Sequence, residues 1–159
     1  MANYIIDGHD LSSLFDGQYP TIKFSEDPKD HLPPRGSIIY TVFDRGGKFI
    51  YVGIAGIQKL PDKRSCISRM MSHRSGRRSG DQFCVYVHDV FVIPELVKKG
   101  SYAPSRGLLD RLTKEYIQEN LSYRFCSFKT DDSIGVLRSL EAQIKNGCCG
   151  LKPYLNGLD

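Results

Sequence analysis

The chain has 159 residues, 40% of them hydrophobic and 25% charged, which suits one globular domain with a sizeable core. No apolar run approaches the roughly 18 residues that span a bilayer, and Met1-Ala2-Asn3-Tyr4-Ile5-Ile6-Asp7 lacks the basic and then apolar pattern of a signal peptide, so a cytoplasmic protein with no membrane partner is expected. Five cysteines without paired spacing argue against a disulfide framework or a structural zinc site, and a net charge of +4 is too small a surplus to name a partner by itself.

Residues 1–35 read as an arm, punctuated by Pro20, Pro28, Pro33 and Pro34, whose apolar pieces Ile5-Ile6 and Leu14-Phe15 would pack on a body formed by residues 36–159. Residues 37–44 (SIIYTVFD) and 49–55 (FIYVGIA) are rich in β-branched and aromatic residues, and Gly46-Gly47 lies between them, which predicts a hairpin. Residues 64–74 predict a helix with Cys66, Ile67, Met70 and Met71 as its apolar stripe. Arg69 and His73, four apart, share another face of it. The SGRRSG stretch from Ser75 to Gly80 is a basic loop. Residues 82–93 (QFCVYVHDVFVI) read as a buried strand, with a helix capped by Asp81 as the alternative. Residues 107–121 form an amphipathic helix and 122–129 a further strand. A last helix, capped by Asp132 or Ser133, runs to about Asn146 and ends at Gly147, and the tail from Lys152 to Gly157 is turn-like.

Charge is distributed unevenly. Lys59, Lys63, Arg64, Arg69, Arg74, Arg77 and Arg78 fall in one stretch in which Asp62 is the only acid. Such a stretch suits phosphate contacts, which dominate nucleic-acid affinity, and makes Lys63, Arg64, Arg74, Arg77 and Arg78 candidate nucleic-acid-binding residues; a solvated cationic surface is the plainer reading. On the last helix Val136, Leu137, Leu140 and Ile144 define the buried stripe, and Glu141 falls on its edge. A carboxylate there is costly unless it is paired or binds a metal, which makes Glu141 a candidate ligand for a hard cation such as Mg²⁺. Tyr40 and Tyr51, on the two hairpin strands, would bring two phenols close together. A phenol with a reference pKa near about 10 needs nearby positive charge to act as a base.

In order and spacing these residues resemble the GIY-YIG nuclease superfamily. Ile38-Ile39-Tyr40 matches the first triplet and Tyr51-Val52-Gly53 the second, although Ile38 stands where the family has Gly and Val52 where it has Ile. Arg69-x-x-x-His73 is similar to the form found in restriction-type members, Glu141 falls where the family has its metal-binding glutamate, and Asn156 is similar to its C-terminal asparagine. The resemblance covers residues 37–157, except that the segment 94–121 aligns with nothing in it. It implies an α+β fold with a small central sheet of three to four mainly antiparallel strands flanked by helices. It also implies a metal-dependent DNA endonuclease, acting on double-stranded DNA with Mg²⁺ or Mn²⁺ and leaving a 5′ phosphate. Tyr40 would then accept the proton of the attacking water, directly or through a neighbour. Arg69 would bind the scissile phosphate, His73 would orient or deprotonate there, Glu141 would hold one metal, and Tyr51 and Asn156 would hold the network and the phosphate. Two other readings remain: a catalytically inactive nucleic-acid-binding module on the same fold, and a different α+β protein whose tyrosines are structural. The last of these predicts that Tyr40, Arg69 and Glu141 do not converge.

Overall fold

In the computed structural model, which describes residues 4–56, 65–100, 105–129 and 134–156, the arm is built of short elements folded onto the body. β1 (Ile5–Ile6) pairs with β2 (His9–Asp10), α1 (Ser12–Phe15) follows, and β3 (Ile22–Lys23) joins the main sheet. Ile6, Leu14 and Phe15 are buried, whereas Ile5 is exposed, and the Thr41 hydroxyl donates to the Leu14 carbonyl at 2.8 Å.

The predicted hairpin is β4 (Ser37–Asp44) and β5 (Phe49–Ala55), antiparallel, with Tyr40 facing Gly53 and Val42 facing Tyr51. Asp44 closes the turn by accepting from the backbone N–H groups of Gly46 and Lys48, both at 2.8 Å. The register shifts between Val42 and Phe43, whose partner is Phe49, so Ile50 is an extra residue on β5. β6 (Leu121–Phe128) lies on the other side of β4, and the sheet order β3-β6-β4-β5 is antiparallel throughout. The α+β class and the four-stranded sheet are therefore as expected.

Alternation along β4 divides the interior into two cores. Ile38, Tyr40 and Val42 face one side, packed by Cys66 and Met70 of α2 (Cys66–Arg74), Phe83, Cys84 and Val87 of α3 (Gln82–Val87) and, beyond α4 (Ile93–Lys98), Ile117 of α5 (Arg106–Asn120). Ile39 and Phe43 face the other side, packed by Leu11, Leu14 and Phe15 of the arm and by Leu137, Leu140 and Ile144 of α6 (Ile134–Lys145). The expected caps of α6, Asp132 and Ser133, lie outside the described residues.

Two sequence expectations are corrected. Residues 82–93 are not a strand. They form α3, then a wide, π-type turn over His88–Val92, and then the start of α4. The apolar density that reads as a strand reflects burial on more than one side, and Asp81 starts the helix by accepting from the Cys84 N–H at 3.3 Å. On α2 the buried residues are Cys66, Met70 and His73, while Met71 is 41% exposed. A histidine occupies a core position there because its ring atoms find partners, described below. No helix among the described residues is long and apolar enough to cross a membrane.

Candidate active site

The first core holds a polar cluster at its centre. Tyr40 is fully buried on β4, and its ring lies across the neighbouring strand over Gly53. A Cβ at Gly53 would sit 2.6 Å from Tyr40 Cζ, so this crossing requires glycine. Tyr51 faces Val42, two residues on from Tyr40, and so shares its face, with the two tyrosine ring centroids 6.2 Å apart. The expected meeting of two phenols is thus a product of strand register.

α2 brings the next two groups. Ser65 caps it by accepting from the Ser68 N–H at 3.1 Å, and the helix then carries Arg69 and His73 on adjacent turns above the sheet. Tyr40 Oη lies 2.7 Å from His73 Nε2. The Arg69 guanidinium is within hydrogen-bonding reach of the same hydroxyl and acts on both tyrosines and on Asp81. Behind His73, both oxygens of Asp81 face Nδ1, Oδ2 at 2.8 Å and Oδ1 at 3.0 Å, and the Ser72 hydroxyl donates to Oδ2 at 2.8 Å. His73 and Asp81 are 0% and 1% exposed. Phe83 packs on the imidazole with ring centroids 4.6 Å apart.

Electrostatics divide the cluster. Burial raises the Tyr40 phenol well above its ordinary value, and the adjacent Tyr51 adds to the rise, while Arg69 pulls it down. Burial pushes the Tyr51 phenol up to about 12, against Arg69 and helped by Glu141. Asp81 moves the other way. Burial opposes its charge, but the hydrogen bond and charge of His73 hold the carboxyl at about 2. Tyr40, His73 and Asp81 form the closed interior of the cluster, and half-buried Arg69 forms its outer part.

Glu141, on α6, is close enough to Tyr51 to raise its phenol. Its carboxylate is partly exposed, 17% at the side chain, and meets Lys145 Nζ at 3.1 Å one turn on. Among the described residues no group of three or more His, Cys, Asp and Glu side chains is gathered as a metal cage. A single carboxylate holds a hard cation such as Mg²⁺ only where water and substrate oxygens complete its sphere. The Asn156 side chain is paired with the strand beside Tyr51. Its Oδ1 accepts from the Val52 N–H at 2.7 Å and its Nδ2 donates to the Val52 carbonyl at 3.0 Å. The backbone N–H groups of Tyr154 and Leu155 donate to the carbonyls of Phe49 and Ile50. The tail therefore covers the free edge of β5 and fixes the strand that carries Tyr51.

The basic stretch is only partly in view. Lys59, Lys63 and Arg64 lie outside the described residues. Arg74 donates to the Ser25 carbonyl at 3.0 Å, and Arg78 donates to Asp110 at 2.8 Å, so both tie the segment around the 75–80 loop to the body. Arg77 lies on that loop, exposed, and its backbone N–H donates to the Ser75 hydroxyl at 3.2 Å. Gly76, at φ +70°, packs where a Cβ would meet the α5 backbone 2.6 Å from Lys114 Cα. The residue that the sequence reading leaves out of the site is Asp81. Its one signal is its place before an apolar helix, where it serves as a cap.

No family model matches the chain, and no curated protein or solved structure is significantly similar to it.

Proposed function

We propose that this protein is a divalent-metal-dependent endonuclease of the GIY-YIG type that hydrolyses phosphodiester bonds in double-stranded DNA, with a restriction-type role. The observation that carries the reading is the convergence of two groups on one phenol oxygen: Tyr40 Oη sits 2.7 Å from His73 Nε2 and within reach of Arg69. A buried phenol held between an imidazole and a guanidinium is an expensive arrangement for structure alone. Arg69 is half-buried at the outer side of the cluster, and its planar, delocalised cation suits a phosphate, whose developing charge it would stabilise. Tyr40 and His73 together would take the proton of the attacking water, an effect that typically contributes roughly 10²–10⁴ in rate. Glu141 would hold the metal, whose role when bound is to stabilise charge on the leaving oxygen.

The test is incubation with supercoiled plasmid and Mg²⁺ or Mn²⁺. Nicking or linearisation is expected, absent with EDTA and with Glu141→Ala. A wild-type protein that leaves the plasmid intact under both metals refutes the nuclease. One observation favours the alternative of an inactive nucleic-acid-binding module, namely the ion pair of Glu141 with Lys145 at 3.1 Å. That alternative predicts salt-sensitive DNA binding with no cleavage.

A further inference from the structure

We propose that Asp81 is a positioning residue of this site, which fixes His73 in the tautomer that draws the proton from Tyr40. The inference rests on the nuclease reading and adds to it a residue outside the resemblance. The geometry is closed at each step. An ionised carboxylate only accepts hydrogen bonds. Both oxygens of Asp81 lie within 3.0 Å of His73 Nδ1, so Nδ1 carries hydrogen. In the neutral imidazole Nε2 then presents a lone pair, and the group 2.7 Å away is Tyr40 Oη, which donates to it. The Tyr40 oxygen keeps a lone pair for Arg69, and because Tyr40 is fully buried a proton reaches it only from the Arg69 side.

Two features show that Asp81 is held for this contact. The Ser72 hydroxyl donates to Oδ2 at 2.8 Å, and the α3 N-terminus donates to Oδ1 through Cys84 N–H at 3.3 Å. A helix cap alone needs one such bond and no histidine, and this one is 1% exposed. Protons balance through the cycle. Water gives a proton to Tyr40 Oη as Tyr40 gives its own to His73 Nε2. The hydroxide adds to phosphorus and the bond from phosphorus to the 3′ oxygen breaks. The imidazolium, facing the Asp81 carboxylate, then returns its proton through Tyr40 to the leaving oxygen or solvent. Tyr40 stays neutral at rest, as its burial favours.

Asp81→Asn tests this because asparagine remains a good helix cap. The Asn amide donates to Nδ1 and moves the ring hydrogen to Nε2, which faces the phenol the wrong way. Two readouts are paired: the ¹⁵N shifts of His73, which report the tautomer without any activity, and single-turnover plasmid cleavage with DNA binding measured alongside. The expected result is a switch from Nδ1–H to Nε2–H with a cleavage loss on the order of 10²–10⁴ and unchanged DNA affinity. Ser72→Ala, which loosens Asp81 without replacing it, should show a smaller loss in the same direction. A variant whose His73 keeps the Nδ1–H signature, or whose tautomer switches while cleavage is unchanged, overturns the proposal. Failure of the nuclease reading looks different, since the wild type itself would then cleave nothing.

Discussion

The two faces of the sheet use the same strands for opposite ends. The face packed by the arm and α6 is filled by Ile39, Phe43, Leu14, Leu137, Leu140 and Ile144, a largely apolar interior whose energetics are those of apolar burial. The face packed by α2 and α3 buries a tyrosine, a histidine and an aspartate at its centre. Polar groups in a core cost stability unless they are answered, and Tyr40, His73 and Asp81 answer one another. The difference teaches where to look for chemistry: apolar packing alone does not call for a buried polar cluster, and the proposed function gives it a reason.

Five experiments sharpen that contrast, from the largest expected effect downward. Tyr40→Phe removes the oxygen shared by His73 and Arg69. Plasmid cleavage should fall by about 10²–10⁴ with the fold kept, and a variant that cleaves at the wild-type rate would place the chemistry elsewhere. Leu14→Ala, on the apolar face, should do the reverse. Urea unfolding should register a loss of about 2–5 kcal/mol, while the cleavage rate per folded molecule stays unchanged; a matching loss of rate would erase the distinction between the faces.

The pH dependence of Asp81 follows from its sign. Its carboxyl is held at about 2 in the folded chain against an ordinary 3.8, so it stabilises the fold above about pH 4 and loses that contribution as pH falls through 2. The contribution is about 2 kcal/mol. Between pH 5 and pH 2 the wild type should lose more stability than Asp81→Asn, and parallel urea series with equal losses would contradict the buried pair.

Asn156→Ala strips the Val52 N–H and carbonyl of their partner. Unfolding should show a loss of about 1–3 kcal/mol, and hydrogen exchange at Val52 should accelerate; unchanged exchange would mean that the tail does not secure the edge. The smallest effect belongs to Lys145→Ala, which frees the Glu141 carboxylate. Helix stability should change by about 0.3–0.5 kcal/mol, and half-maximal cleavage should need less Mg²⁺; a higher requirement would argue that Lys145 helps to hold the site.

Much of the fold is legible in the residues because the signals are local. The hairpin is written in two β-rich runs around Gly46-Gly47, and α5 and α6 in their apolar spacing. The segment 82–93 is misread because periodicity cannot separate a strand from a helix buried on more than one side. Asn156 stands at the expected place in the sequence, but its side-chain amide is spent on backbone pairing, a fact of edge geometry that no spacing encodes.

By itself, then, the sequence determined an α+β chain with two strand tyrosines, an Arg-x-x-x-His helix and a glutamate on the edge of an apolar stripe, because propensity and periodicity act over a few residues. Tertiary structure decided the rest. Register laid Tyr40 over Gly53 and set Tyr51 opposite Val42 on the same face, and the approach of α3 set Asp81 behind His73. Those are meetings between segments, and the free energy that selects them comes from packing the whole interior at once.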